Sequence, residues 1–126
     1  MLYSKDHEWI KIENNVGTVG ISSHAIEQLG EIVFIELPEI SKEVSKGDAI
    51  AIFESVKAAS DIYTPVSGKI LEVNDNLTND LSSIIPEKAN ESWIFKIQLT
   101  NNIEIEELMD EKQYIEMISW ESKKIC

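Results

Sequence analysis

Ala49-Ile50-Ala51-Ile52-Phe53-Glu54-Ser55-Val56-Lys57-Ala58-Ala59-Ser60-Asp61-Ile62-Tyr63-Thr64-Pro65 contains two β-rich runs, Ala49 to Phe53 and Asp61 to Thr64, around a polar centre. Apolar runs this short, bounded by breakers, read as strands. Pro65 has no N–H to give to a ladder and ends the second run. If the two runs pair, the chain reverses near Lys57 and the amine projects clear of the body. No Gly or Asn in Val56-Lys57-Ala58 supplies the positive φ of the usual two-residue hairpin turns. Turn rules therefore leave the reversal open, and a lysine in an ordinary loop is the plain alternative.

Outward from this segment the same pattern repeats. Trp9 to Ile12, Val16 to Ile21, Ile32 to Leu37 and Lys69 to Val73 are further short β-runs. Ser22 and Ser23 are placed to cap a helical turn over Ala25, Ile26 and Leu29, with Gly30 to end it. Trp93 to Leu99 alternates, with Trp93, Phe95, Ile97 and Leu99 on one face and Lys96 and Gln98 on the other. Asn74 to Asn90 has no period and reads as a long, mobile loop. After Thr100 the pattern becomes helical: a short helix from Ile103, then an Asp110/Gln113 capping box opening a second. Tyr114, Met117 and Ile118 form a stripe expected to pack on the sheets.

The chain has 126 residues, enough for one core, and its 43% hydrophobic content argues against disorder. Its net charge is −12, and all eleven basic residues are lysine. An acidic chain without guanidinium forks is poorly suited to phosphates, so nucleic acid and anionic membrane are excluded as expected partners. Proteins with basic patches are expected instead. Cys126, the single cysteine, offers no internal disulfide, which fits a reducing compartment. No apolar run has the length of a membrane span or a signal peptide.

Candidate chemistry is sparse. His7 and His24 are the only histidines, and nothing in their spacing suggests a metal site or a nucleophile and base, so they read as surface or packing residues. Gly17-Thr18-Val19-Gly20 lacks a third glycine and reads as a bulge within a strand. The acidic stretch from Glu104 to Glu111 reads as helix starts and a solvated face.

Four motifs add what periodicity does not: Lys5-Asp6-His7-Glu8-Trp9, Gly30-Glu31-Ile32-Val33-Phe34-Ile35-Glu36-Leu37-Pro38, Glu54-Ser55-Val56-Lys57-Ala58 and Thr64-Pro65-Val66-Ser67-Gly68. In order and spacing they resemble the glycine cleavage system H proteins, over nearly the whole chain. Sibling carriers differ at the central tripeptide, with Met-Lys-Met in biotin carriers and Asp-Lys-Ala in 2-oxoacid dehydrogenase acyltransferases. The resemblance implies a mainly β fold, a lipoyl/biotinyl-type barrel-sandwich hybrid of two antiparallel sheets. A short helix near the N-terminus and C-terminal helices complete it. A single lipoyl-type domain over 1–126 is expected, with a β body to about 100 and a helical segment over about 103–122.

The resemblance further implies a non-catalytic shuttle. Lipoic acid is joined by an amide to Lys57, within a hairpin motif of Glu54, Ser55, Val56 and Ala58. A pyridoxal-phosphate glycine decarboxylase loads an aminomethyl group, and a tetrahydrofolate-dependent aminomethyltransferase removes it. Dihydrolipoamide dehydrogenase reoxidises the arm, and a lipoate-attaching enzyme installs it. Amide formation would leave ten basic against 23 acidic groups, a net charge of −13. Glu8, Gln28 and Asp61 match a cleft that receives the loaded arm; Glu8 and Asp61 are natural partners for its cationic amine.

This chain departs from the family in several places. Gln28 stands where some members carry histidine, and Ser41 where glycine is common. Pro86-Glu87-Lys88-Ala89-Asn90-Glu91-Ser92 lacks the family's glycine-rich approach to Trp93. A freely diffusing monomer suits a shuttle. With Met1 just ahead of the first motif, no transit peptide is expected. The bacterial cytoplasm is the expected compartment, with the mitochondrial matrix after processing as the alternative. Two other functions stay open: a lipoyl relay protein donating lipoate to 2-oxoacid dehydrogenases, and an unmodified β-sandwich that mediates protein contacts.

Overall fold

A computed structural model describes residues 1–125, with side chains described through Glu121; Cys126 lies outside the described residues. Nine strands form two antiparallel sheets. They are β1 (Leu2–Tyr3), β2 (Glu8–Glu13), β3 (Val16–Ile21), β4 (Ile32–Glu36), β5 (Glu43–Val44), β6 (Ala49–Ser55), β7 (Ala59–Tyr63), β8 (Gly68–Val73) and β9 (Trp93–Leu99). One sheet runs β1-β2-β3-β9-β8-β5 and the other β4-β6-β7, and they do not close into a barrel. The expected two-sheet architecture is observed. β1 and β5 are two-residue strands too short to leave a pattern in the sequence.

Alternation builds the core between the sheets. Ile10 and Val19 of the large sheet, with Phe95 and Ile97, meet Ile35, Ala51 and Phe53 of the small one in a single buried cluster. The Gly17 to Gly20 run lies within β3, and the β3/β9 register shifts at Val19/Gly20, as a bulge requires. Gly20 is there for a close approach. A Cβ on it would lie 2.5 Å from the ring of Trp9, which is 1% exposed and donates from Nε1 to the Ala89 carbonyl.

α1 (Ser23–Leu29) begins where Ser22 Oγ accepts from Ala25 N–H, and ends at Gly30, whose φ of 84° favours a residue without Cβ. Ser41, at the position where glycine is common in the resembling family, has φ 72°, a left-handed conformation that glycine adopts without strain.

The segment after β8 corrects the expectation of a mobile loop over 74–90. It folds as α2 (Asn76–Asn79) and two 3₁₀ turns, Leu81–Ser83 and Pro86–Lys88, and it buries Leu77, Ile84 and Ala89 against the core. Three anchors spaced seven and five residues apart have neither helical nor strand periodicity, so a pattern reading passes over them.

The acidic stretch also does more than face solvent. Glu104, in the 3₁₀ turn Asn102–Glu107, accepts from both the N–H and the hydroxyl of Ser67 at 2.7 Å, and Glu107 pairs with Lys46. The capping box is reciprocal: Gln113 N–H donates to Asp110 Oδ1 at 2.8 Å, and Asp110 N–H donates to Gln113 Oε1 at 3.0 Å. It opens α3 (Glu111–Ile125). The helix lays Tyr114 on the edge of the large sheet, stacked on Tyr3 with centroids 4.4 Å apart beside buried Trp9. No described helix is long and apolar enough to cross a membrane.

Candidate functional site

β6 and β7 pair directly, Glu54 opposite Ala59, and the chain reverses over Val56 and Lys57. No residue of this turn has positive φ. The strand's own alternation resolves the difficulty left open by turn rules. Ala51, Phe53 and Ser55 share the inward face, so the Ser55 hydroxyl is buried beneath the reversal. There its oxygen accepts from the N–H of Ala58 at 3.1 Å and of Lys57 at 3.3 Å, while Ser55 N–H donates to the Ala58 carbonyl at 2.7 Å. A serine side chain thus replaces the main-chain carbonyl that usually closes a turn.

The tip is also fixed from outside. Val56 N–H donates to the Glu31 carbonyl at 3.1 Å, tying the reversal to the α1–β4 connection, and a Cβ on Gly30 would lie 3.7 Å from Lys57 Cε. The lysine stem therefore runs along Gly30. Lys57 itself is exposed, as are Glu54, Val56 and Ala58, and its amine takes part in no ion pair among the described residues. The geometry presents one unpaired primary amine on a rigid support.

A cleft of about 350 Å³ lies between α1 and β7. α1 supplies His24, Ala25, Gln28 and Leu29, and β7 supplies Asp61 across from them. Two of the three expected cleft residues, Gln28 and Asp61, are brought together here. The third, Glu8, is not among the lining residues: it is 2% exposed, in β2, and receives the Ser4 hydroxyl at 2.6 Å. Burial pushes the Glu8 carboxyl up to about 7, opposed by its bonds to the Ser4 hydroxyl and the Tyr63 backbone. Glu8 thus holds an exchangeable proton near neutrality.

The cleft also contains residues that spacing did not single out. His7, His24 and Glu121 are distant in sequence, yet their ligand atoms lie within 4.8 Å of one another at the rim. His7 has φ 72° and its ring is 5.0 Å from that of His24. Its Nδ1 is 2.8 Å from the Tyr114 hydroxyl, which is 2.6 Å from Ser22 Oγ, the cap of α1. The reading of two packing histidines is incomplete: they pack, and they also converge. Only the Lys5-Asp6-His7-Glu8-Trp9 motif, which places one of them, hinted at this in the sequence.

Comparison with known proteins agrees over most of the chain. A family model described as Glycine cleavage H-protein matches residues 1–121. The glycine cleavage system H protein of Thermotoga maritima is 48% identical over 119 residues, 94% of this chain and 96% of the relative. That of Alkaliphilus oremlandii is 51% identical over 122 residues, 97% of this chain and 95% of the relative. Among solved structures, a glycine cleavage system H protein from Mycobacterium marinum superposes with a TM-score of 0.83 at 33% identity, covering 94% of this chain and 95% of that one.

Proposed function

Because this chain belongs to the glycine cleavage H-protein family, we propose that Lys57 is the residue that carries its lipoyl group. The protein is the lipoyl carrier of glycine cleavage, a component that catalyses no turnover itself. As a member of that system it works with partner enzymes. The observation that carries the assignment of Lys57 is its exposed, unpaired amine on a turn whose nearby backbone donors are already engaged by Ser55 and Glu31.

The turn fits an amide-linked arm. Attachment discards the charge of the amine, and no ion pair is broken by losing it. When bound, a lipoyl group supplies a dithiolane able to take up and release a one-carbon amine and to cycle through a dithiol, chemistry that no standard side chain offers. The chain's own contribution is positional. Ser55 and Glu31 hold the turn, Gly30 guides the lysine stem, and the cleft lined by Gln28 and Asp61 begins at the end of the same helix.

Of the three carboxylates that line that cleft, Asp6, Asp61 and Glu121, Asp61 is the one this reading assigns to the cationic amine. Glu8, beneath the surface, acts at one remove through its bond to the backbone of Tyr63 in β7, the strand that bears Asp61. The partners in this reading are a pyridoxal-phosphate glycine decarboxylase, a tetrahydrofolate-dependent aminomethyltransferase, dihydrolipoamide dehydrogenase and a lipoate-attaching enzyme. With a net charge of −12, the carrier suits basic entrances on those enzymes.

Intact mass of the protein from its native cell, followed by peptide mapping, tests the assignment. A species heavier by one lipoyl group, mapped to Lys57 and missing from Lys57→Arg, is expected. A lipoyl group found on another lysine, or on none, overturns it.

A further inference from the structure

His7, His24 and Glu121 are placed by three separate elements: the turn before β2, the first half of α1 and the end of α3. All three are half-buried. His7 Nε2 and Glu121 Oε2 are 3.6 Å apart, close to the edge of about 3.3–3.6 Å spanned by two donors of a tetrahedral ion with bonds near 2.0–2.2 Å. The ligand atom of His24 lies within 4.8 Å of both. Side-chain rotation of about 1 Å closes the triangle, well within the reach of a helical histidine one turn before Gln28.

What lies behind His7 is characteristic of a metal-binding imidazole. Its Nδ1 is held at 2.8 Å by the Tyr114 hydroxyl, which in turn is 2.6 Å from Ser22 Oγ. With that hydroxyl donating to Ser22, it accepts from Nδ1–H and leaves the Nε2 lone pair on the side of Glu121. Outer partners of this kind fix the tautomer and orientation of a ligating histidine. The positive φ of His7 and the Tyr3–Tyr114 stack further restrict the ring.

We propose that His7 Nε2, His24 and Glu121 form a binding site for a divalent transition-metal ion of the Zn²⁺ class at the rim of the Gln28–Asp61 cleft. Two imidazoles and one carboxylate are a donor set suited to Zn²⁺. Three protein ligands leave a fourth position open. Tyr114 is a positioning residue: it touches no ion but holds the ring that does.

The test is calorimetric titration of the full, unmodified chain with ZnCl₂, in a Cys126→Ser background so that the lone thiol contributes nothing. Cobalt absorption of the same sample serves as a spectroscopic check. One equivalent binding with micromolar affinity is expected, together with the visible bands of a four-coordinate cobalt ion. His24→Ala and Glu121→Gln, both at half-buried positions lining the cleft, should each weaken binding at least about tenfold with unchanged circular dichroism. Tyr114→Phe, which removes no ligand atom, should weaken it by about tenfold. Absence of saturable binding, or binding that His24→Ala and Glu121→Gln leave unmoved, overturns the proposal. The lysine assignment is untouched by either result, since the chain titrated bears no arm.

Discussion

The Lys57 turn and the cleft beside it are built by opposite routes. The turn is local: Ser55 bonds Lys57 and Ala58, two and three residues away, and one outside carbonyl, Glu31, steadies it. The cleft gathers residues from Asp6 to Glu121, on strands and helices from both ends of the chain. The turn keeps its key group exposed and uncommitted, whereas the third residue expected in the cleft, Glu8, is buried and bonded. A carrier needs both, one place that gives its arm freedom and one that restrains it. They differ in what should damage them, and that difference can be measured.

The largest expected effect belongs to the turn. Exchanging its two tip residues, Val56→Lys with Lys57→Val, preserves composition, charge and every backbone bond. It moves the amine by one position and away from Gly30. Loading by a lipoate-attaching enzyme, followed by intact mass, should fall to background while thermal unfolding shifts little, since both residues are exposed. Full loading of the exchanged variant would show that any exposed lysine serves, and the turn would lose its special status.

Glu8 gives the next largest effect, in stability. Its folded value of about 7 stands above the ordinary 4.5, so between these values the folded state holds a proton that the unfolded chain has released. Stability from this group is complete below pH 4.5, falls as pH rises through the window, and stays lowered above about 7. The cost of ionising it is on the order of 3 kcal/mol. Glu8→Gln removes the titration. Urea unfolding should therefore show the variant gaining about 3 kcal/mol on the parent between about pH 4 and about pH 8. Parallel pH curves would mean that the carboxyl is not restrained as its burial implies.

Asp61 is a smaller test of the cleft. It is exposed on β7, so its attraction for a bound amine is screened and worth on the order of 1 kcal/mol. Asp61→Ala should shorten the retention of the carried one-carbon amine by roughly three- to tenfold, read by its release into solution, with loading at Lys57 unchanged. Equal retention would remove Asp61 from the cleft's work.

The same contrast explains what the sequence disclosed. Strands β2, β3, β4, β6, β7, β8 and β9, the cap of α1 and the Asp110/Gln113 box were legible because short β-rich runs between breakers, the alternation of Trp93 to Leu99 and capping are local signals. The Lys57 turn was legible as a motif but not as a turn. Its closing group is a strand side chain, invisible to rules that look for glycine or asparagine at the tip. The helical turns over 76–88 were missed because Leu77, Ile84 and Ala89 are held by the core and not by any repeat. Motif matching brought Gln28 and Asp61 to the cleft, covered His7 without giving it a role there, and left out His24 and Glu121. Their convergence depends on where α3 docks, and that is set by the Tyr3–Tyr114 stack between opposite ends of the chain.

The smallest expected effect probes the turn's dependence on one hydroxyl. Ser55→Ala deletes the acceptor for the Ala58 and Lys57 N–H groups but leaves the Ser55 N–H bond to the Ala58 carbonyl and the Val56 bond to Glu31. The freed N–H groups are part-buried and belong to exposed residues of the tip, so the loss should be that of an ordinary neutral hydrogen bond, about 1 kcal/mol. For a chain of this size that is a fall of a few degrees in Tm. Loading should slow more than stability suggests, by about fivefold, because the tip then samples several conformations and the attaching enzyme must select one, which reduces apparent affinity by the populated fraction. A fall in Tm with loading intact would mean that the serine serves the fold alone. Slower loading with Tm lowered by no more than those few degrees would separate the two regions as argued, since a local site can lose its order without disturbing the body that carries it, and a cleft assembled from distant elements cannot.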